Sequence, residues 1–447
     1  MNKSILYLFT MILFMISLSS CKKYLDKRPD NFKAIPSTIA DLQALLDNAE
    51  NMNLTPSFGQ ASDDDYFILA YDAIPNDNWK KAYVWKLLEY SFPNDWSALY
   101  LPVYNANLCL EILKTIPRTI ENAAAWDNVK GSALFYRAHS FLQLAWTFCK
   151  GYDEASSNSE LGIPVRLTSD FNGASVRGTV KEAYERIIMD TKEAAELLPN
   201  LPAHKIRPSK AGAFGLLART YLSMRKYQDA LTYSSRCLDI TSTLIDYIPA
   251  TPGPFKKYDN PETIFYSQIN IGFLNVFNNS RALVDSFLYA SYASTDRRRS
   301  LFFSVSGAHR RFRGMYSANQ TIFFSGIATD EMYLTRAECK ARTGDKDGAL
   351  SDLNTLLSKR WTAGLPLSAA SAEEALAKVL IERRKELLFR GLRWIDVKRL
   401  NREGANLVLT RKVNGQAIEL QPNANYYALP LPFDIITLTG MPQNPYP

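Results

Sequence analysis

The sequence predicts a mainly α protein: a scaffold of paired helices, with a loop-rich half that contains short strands and a hairpin. Three observations predict it. Apolar residues recur at helical spacing on two consecutive segments around Ala218 and Ala230. The same arrangement returns around Ala337 and Ala349, again with alanines twelve positions apart. Between the two, residues 241–328 lose the helical period and become rich in aromatic residues, Ser, Asn and Gly.

The elements follow in chain order. Lys3 precedes a mostly apolar run from Ile5 to Ile16, shorter than the roughly 20 residues a bilayer-spanning helix needs. A charged start, a short apolar core and small residues before a cut site form a secretory signal, so residues 1–20 are expected to be removed. Leu18-Ser19-Ser20-Cys21 resembles a bacterial lipobox. That resemblance implies a diacylglycerol on Cys21 and an acylated amino terminus, and several acyl chains anchor a protein stably where one does not. Lys22 is not the aspartate linked to inner-membrane retention, which favours the outer membrane. An ordinary signal peptide followed by an incidental cysteine is the alternative. Residues 21–447 are expected to form one domain. Of 447 residues, 47% are apolar, enough for a large core. A net charge of +7 across 52 basic and 45 acidic residues is too slight to argue for nucleic acid.

Trp96, Tyr100 and Tyr104 stand at helical spacing and predict a core-facing helix over 96–113. A weaker helical candidate covers 129–148 through Ala138 and Phe141. In 208–238, Pro208 suits a first helical turn, and a polar break around Arg225 separates two helices. Ala218, Tyr221 and Ala230 match the tetratricopeptide pattern, whose alanines let paired helices approach. In 329–361, Gly344-Asp345 marks the equivalent turn. Ala218 and Ala337 lie 119 positions apart, so the pairs are not tandem but separated by the 241–328 insertion. Within it, "TIFYSQI" predicts short strands. Asn414-Gly415 between alternating flanks predicts a two-residue hairpin over 410–420. Pro430, Pro432, Pro442, Pro445 and Pro447 predict an extended tail. Cys109, Cys149, Cys237 and Cys339 each fall in an apolar helical pattern, and buried free thiols are expected of them.

Several stretches together resemble the SusD/RagB family of outer-membrane nutrient-binding lipoproteins: "CKKYLDKRPDN" at 21–31, "WSALYLPVYNANLCLEIL" at 96–113, "RPSKAGAFGLLARTYL", "YLTRAECKARTGDKDGALSDLN", "ERRKELLFRGLRWIDVKRL" at 382–400 and "LPLPFDIITLTGMPQNPYP". Arg390 stands where the family usually carries glutamate. The resemblance implies four tetratricopeptide-like pairs facing a loop-rich half. It also implies a non-catalytic protein that binds glycans, or in some members peptides, and lids a SusC-like TonB-dependent β-barrel transporter. No cofactor is implied.

The residues bear on the same question independently. His139, His204 and His309 are scattered and lack metal-ligand spacing. No H-E-x-x-H, G-x-S-x-G or phosphate-cradling glycine loop occurs. Asp63-Asp64-Asp65 reads as a solvated turn or helix cap, with a ligand or calcium role as alternative. Arg383, Arg384, Arg390 and Arg393 are expected to pair with neighbours such as Glu386 and Asp396, while "DRRRSLFF" at 296–303 and "RRFRG" at 310–314 could line a site for an acidic glycan. Sugars offer apolar C–H faces for aromatic rings and hydroxyls for Asn, Asp and Arg. Trp79, flanked by Asn-Asp-Asn and Lys-Lys, is therefore the first candidate ligand contact, with Asn78, Tyr83, Trp85 and Asp64 beside it. The alternatives are a peptide ligand on the same scaffold, a barrel-closing scaffold without its own ligand, and a glycosidase with distant paired carboxylates.

Overall fold

Several helix starts in this chain are set by side chains that take up the first free backbone N–H groups. The computed structural model describes residues 36–248, 255–277 and 281–446; the expected signal and Cys21 lie outside the described residues. Asn94 and Ser97 form a reciprocal capping box at the start of α1 (Asp95–Leu113). α2 (Ala123–Phe148) follows. Thr179 and Glu182 form a second box at α3 (Val180–Leu197). Ser209 caps α4 (Lys210–Ser223), which a tight turn joins to α5 (Tyr227–Ile240). α6 (Thr329–Arg342) leads into α7 (Lys346–Leu357), capped by Asp345, and Ser371 caps α8 (Ala372–Glu386). These are the helices of twelve residues or more among the described residues, and each packs on the next in chain order.

The two alanine-spaced pairs are α4–α5 and α6–α7. Ala218, Ala230, Ala337 and Ala349 are all fully buried. Arg225 takes a left-handed φ of 61° at the first turn and Gly344 a φ of 89° at the second, the conformation that ends a helix and costs glycine least. α2 is buried on every side from Gly131 to Phe148, polar residues such as Arg137 and His139 included. α1 and α3 pack against it, and Phe135 meets Phe265 of the loop-rich half at 4.8 Å. Gly215 permits a further close approach, since a Cβ there would stand 2.6 Å from Ile327.

The loop-rich half is held by short strand pairs rather than one sheet. Leu54–Thr55 pairs in parallel with Gln268–Ile269, and Tyr66–Ile68 pairs antiparallel with Ala282–Val284. Thr263–Phe265 pairs with Ile327–Ala328, directly before α6. Phe303–Ser306 and His309–Phe312 form a hairpin, as do Leu409–Val413 and Gln416–Leu420. In the second, Asn414 and Gly415 both have positive φ, 49° and 82°, as that turn requires. The prolines do not leave the C-terminal stretch wholly extended: Phe433–Thr439 is a short helix, started after Pro432 and ended by left-handed Gly440. Cys109, Cys149, Cys237 and Cys339 are buried free thiols.

Buried arginine–carboxylate pairs stitch these elements together. Arg137 grips Asp190 from α2 to α3 at 2.7 and 2.8 Å. Arg219 on α4 grips Glu331 on α6 at 2.7 and 2.6 Å and also donates to the Gly326 carbonyl. Arg399, on α9 (Arg393–Asn401), grips Glu338 on α6 at 2.6 and 2.8 Å. Such pairs are weak evidence for stability, but removing one partner strands a buried charge.

Candidate functional site

Asp63, Asp64 and Asp65 do not form a solvated turn. Arg393 donates to both Asp64 oxygens, Arg384 reaches Asp64 at 3.1 Å and Asp65 at 3.2 Å, and Arg411 donates to the Asp63 carbonyl. Burial would raise the Asp64 pKa, but Arg393 and Arg384 hold it below the usual carboxylate range. Asp65 is pushed up to about 6 by burial, against Arg384. With guanidinium groups already against them, these oxygens are not poised for a cation, because a cation would have to displace fixed positive charge. Asp64 thus ties the N-terminal segment to the arginine motif.

Three of the aromatic candidates are core residues. The helix Asp77–Tyr83 turns Trp79, Ala82 and Tyr83 inward at i, i+3 and i+4, and leaves Asp77, Lys80 and Lys81 outside. The polar flanks of Trp79 are therefore the outer face of an amphipathic helix. Trp79 stacks on Phe58 at 4.5 Å and 23° and packs against Gly272. Tyr83 is fully buried; its hydroxyl accepts from Ile68 N–H, and the Arg411 guanidinium lies 4.2 Å from its ring. Trp85 is buried and donates through Nε1 to the Ser62 carbonyl at 2.8 Å. Asn78 is half-buried, and its amide brackets the Glu89 backbone, donating at 2.8 Å and accepting at 3.0 Å. None of these four presents a free binding face.

The arginine motif pairs as expected, and across longer distances as well. Arg383 donates to Asp396 at 2.9 Å. Glu386 accepts from Arg298 at 2.9 Å and from Arg360 at 2.8 Å. Arg390 pairs with Asp330 at 2.7 Å and lies 3.9 Å from the Tyr316 ring, so it has its own buried counter-charge. Glu262, Asp330 and Glu386 have carboxylate oxygens within 4.8 Å of one another, a metal-like grouping. Arg360 and Tyr316 satisfy Glu262, Arg390 satisfies Asp330, and Arg298 and Arg360 satisfy Glu386. The group is a closed ion network rather than a cation site. Burial, only partly offset by Arg360, pushes Glu262 up to about 7. His139 is packed inside, where burial and Arg219 drive its pKa down to about 3 and keep the ring neutral.

One exposed aromatic surface lies in the loop-rich half. Helix Ser286–Ala290 follows the strand Ala282–Val284 and packs beside the hairpin strand His309–Phe312. Phe287 on it is 88% exposed. Tyr289 is half-buried, edge-on to Phe303 at 5.3 Å, with the guanidinium groups of Arg299 and Arg310 5.1 and 4.7 Å from its ring. Arg299 also donates to the Tyr289 hydroxyl at 3.1 Å, and the two arginines draw its pKa below the usual phenol value. Across the hairpin, Phe67 meets His309 edge-on at 5.3 Å. The arginine-rich stretches of the sequence pointed to this surface; Phe287 and Tyr289 carried no local signal, because only the fold sets them outside. On the helical side, a cavity of about 320 Å³ is lined by Lys192, Glu193, Phe214, Leu217, Tyr233 and Arg236.

No helix among the described residues is long and apolar enough to cross a membrane. Residues 23–222 match a SusD-like family described as starch-binding and associating with the outer membrane, and residues 329–446 match the SusD family. Among curated proteins there is no match. Solved structures share the fold. A Bacteroides vulgatus protein is 23% identical with a TM-score of 0.75, over 92% of this chain and 99% of its own. A SusD superfamily protein of Bacteroides thetaiotaomicron is 19% identical with a TM-score of 0.75, over 91% and 100%. A SusD-like carbohydrate-binding protein of Bacteroides vulgatus is 19% identical with a TM-score of 0.69, over 91% and 97%. With family matches at both ends and one shared architecture between them, the chain belongs to the SusD family.

Proposed function

We propose that this protein captures an oligo- or polysaccharide on its loop-rich face and delivers it, without breaking bonds, to a SusC-like TonB-dependent β-barrel in the outer membrane. In this reading residues 1–20 are a signal, and residues 21–447 form one domain held at the membrane by lipid on Cys21. The observation that carries it is one short helix that bears both the exposed Phe287 ring and, two positions on, the Tyr289–arginine stack. A large apolar ring left in water on a short capped helix suits the C–H face of a sugar, and arginine donors suit its hydroxyls. The family's description as starch-binding and associating with the outer membrane supports the same reading. A framework fixed by buried ion pairs holds such a surface preformed, which lowers the ordering cost of binding.

A second reading, a peptide ligand, draws on the helical-side cavity, where Glu193 and Arg236 offer both signs of charge beside Phe214 and Tyr233. Calorimetry against a saccharide panel and a peptide pool, with chromatography of the saccharides afterwards, tests both. Heat with a saccharide and no new products is expected. Binding only to peptides, or release of shorter sugars, contradicts the proposal.

A further inference from the structure

The elements around Tyr289 carry an excess of one charge. Residues 285–313 contain six arginines and two aspartates. Both aspartates are committed: Asp285 caps the helix by accepting from Leu288 N–H at 2.7 Å, and Asp296 is buried against Arg298 at 2.9 and 2.7 Å. Arg298 is buried in the ion network with Asp296, Glu382 and Glu386. Arg299, Arg310, Arg311 and Arg313 form no ion pair with any carboxylate among the described residues. None of the four is buried, so their charge is open to solvent and to a ligand.

Two of these four converge. Arg299 comes from the turn of helix Arg298–Leu301, and Arg310 from the strand His309–Phe312. Register places Arg310 opposite Val305, on the hairpin face that also carries Phe303 and Phe312. Tyr289 packs on that face through Phe303, and its ring holds both guanidinium groups close by. Two like charges brought to one ring repel each other, and the ring face offsets only part of that repulsion. A bound oxyanion would relieve it, and the planar guanidinium fork matches carboxylate and sulfate oxygens.

We propose that Arg299 and Arg310 form a subsite for an anionic sugar, so that the captured glycan bears carboxylate or sulfate groups. The inference rests on the glycan-capture reading and names the substrate class for that surface. Tyr289 orients the two arginines, through its hydroxyl for Arg299 and its ring for both.

The test is calorimetry on the whole chain with oligogalacturonate and its carboxyl-reduced neutral counterpart, with sulfated and desulfated chondroitin oligosaccharides, and with maltoheptaose. A charged member bound at least about tenfold more tightly than its neutral counterpart is expected, the range of hydrogen bonds to charged groups. That advantage should shrink in high salt and vanish in the Arg299→Gln/Arg310→Gln variant. Whether uronate or sulfate is recognised follows from which pair separates. Equal affinity for charged and neutral members overturns the anionic subsite and leaves glycan capture standing; binding to no saccharide overturns both. Should the double variant misfold, the salt dependence and charge preference of the native chain decide alone.

Discussion

Arg393 donates two hydrogen bonds to Asp64, Nε to Oδ1 at 2.6 Å and Nη2 to Oδ2 at 2.9 Å, across 329 positions of sequence. The pair joins the segment after helix Phe58–Ser62 to the start of α9, and Arg384 on α8 reaches the same carboxylate. Asp64→Ala leaves two guanidinium groups without their main partner and is expected to destabilise the fold by about 3 kcal/mol. Saccharide affinity of the folded variant should not change. Denaturant unfolding and calorimetry on one preparation check both; lost affinity at unchanged stability would make Asp64 a ligand contact instead.

Trp79→Ala removes a ring stacked between Phe58 and Gly272. A loss of about 3–5 kcal/mol is expected for a buried tryptophan, again with ligand affinity intact in the folded fraction. A variant that melts like the native chain but binds sugar weakly would put Trp79 back on the binding surface.

Lys398 is buried, and its ammonium donates to the carbonyls of Trp146 and Cys149 at 2.6 Å each, at the C-terminus of α2. Burial lowers its pKa to about 7, with Cys149, Arg402 and Glu160 around it. The unfolded lysine keeps its proton to about pH 10. Between these values the unfolded chain binds more protons than the folded one, so this group makes stability rise as pH increases from about 7 toward 10. Unfolding midpoints of the native chain and of Lys398→Met across that range should diverge in that direction. Parallel curves would show that Lys398 stays charged when folded.

Cys21→Ala should release the protein from membranes into the aqueous phase of a detergent partition, because the cysteine sulfur is the proposed lipid attachment. Retention of the variant in the detergent phase would require another anchor.

What was legible in the sequence is what depends on near neighbours. Alanines at 218 and 230 and at 337 and 349 announced two helix pairs, and Asn414-Gly415 announced its hairpin, because spacing and turn chemistry act within a few residues. Arg383 pairing with Asp396 was legible for the same reason. The burial of Trp79, Tyr83 and Trp85 was less so: their partners are Phe58, Gly272 and Arg411, and the last stands more than three hundred positions away. The i, i+3, i+4 spacing of Trp79, Ala82 and Tyr83 was the available clue, and the polar flanks obscured it. Phe287 could not be placed outside from sequence, since residues 241–328 have no period to say which side faces water. The helix Phe433–Thr439 was hidden between prolines that favour extended chain on either side.

The most direct test of the account is the affinity of the native chain and of Phe287→Ala for one saccharide the native chain binds, measured by calorimetry. The exposed ring contributes little to packing, so the variant should fold and melt normally while its affinity falls about tenfold or more, as loss of one aromatic stacking contact at a binding surface does. Unchanged affinity in a normally folded variant would contradict glycan capture on this face.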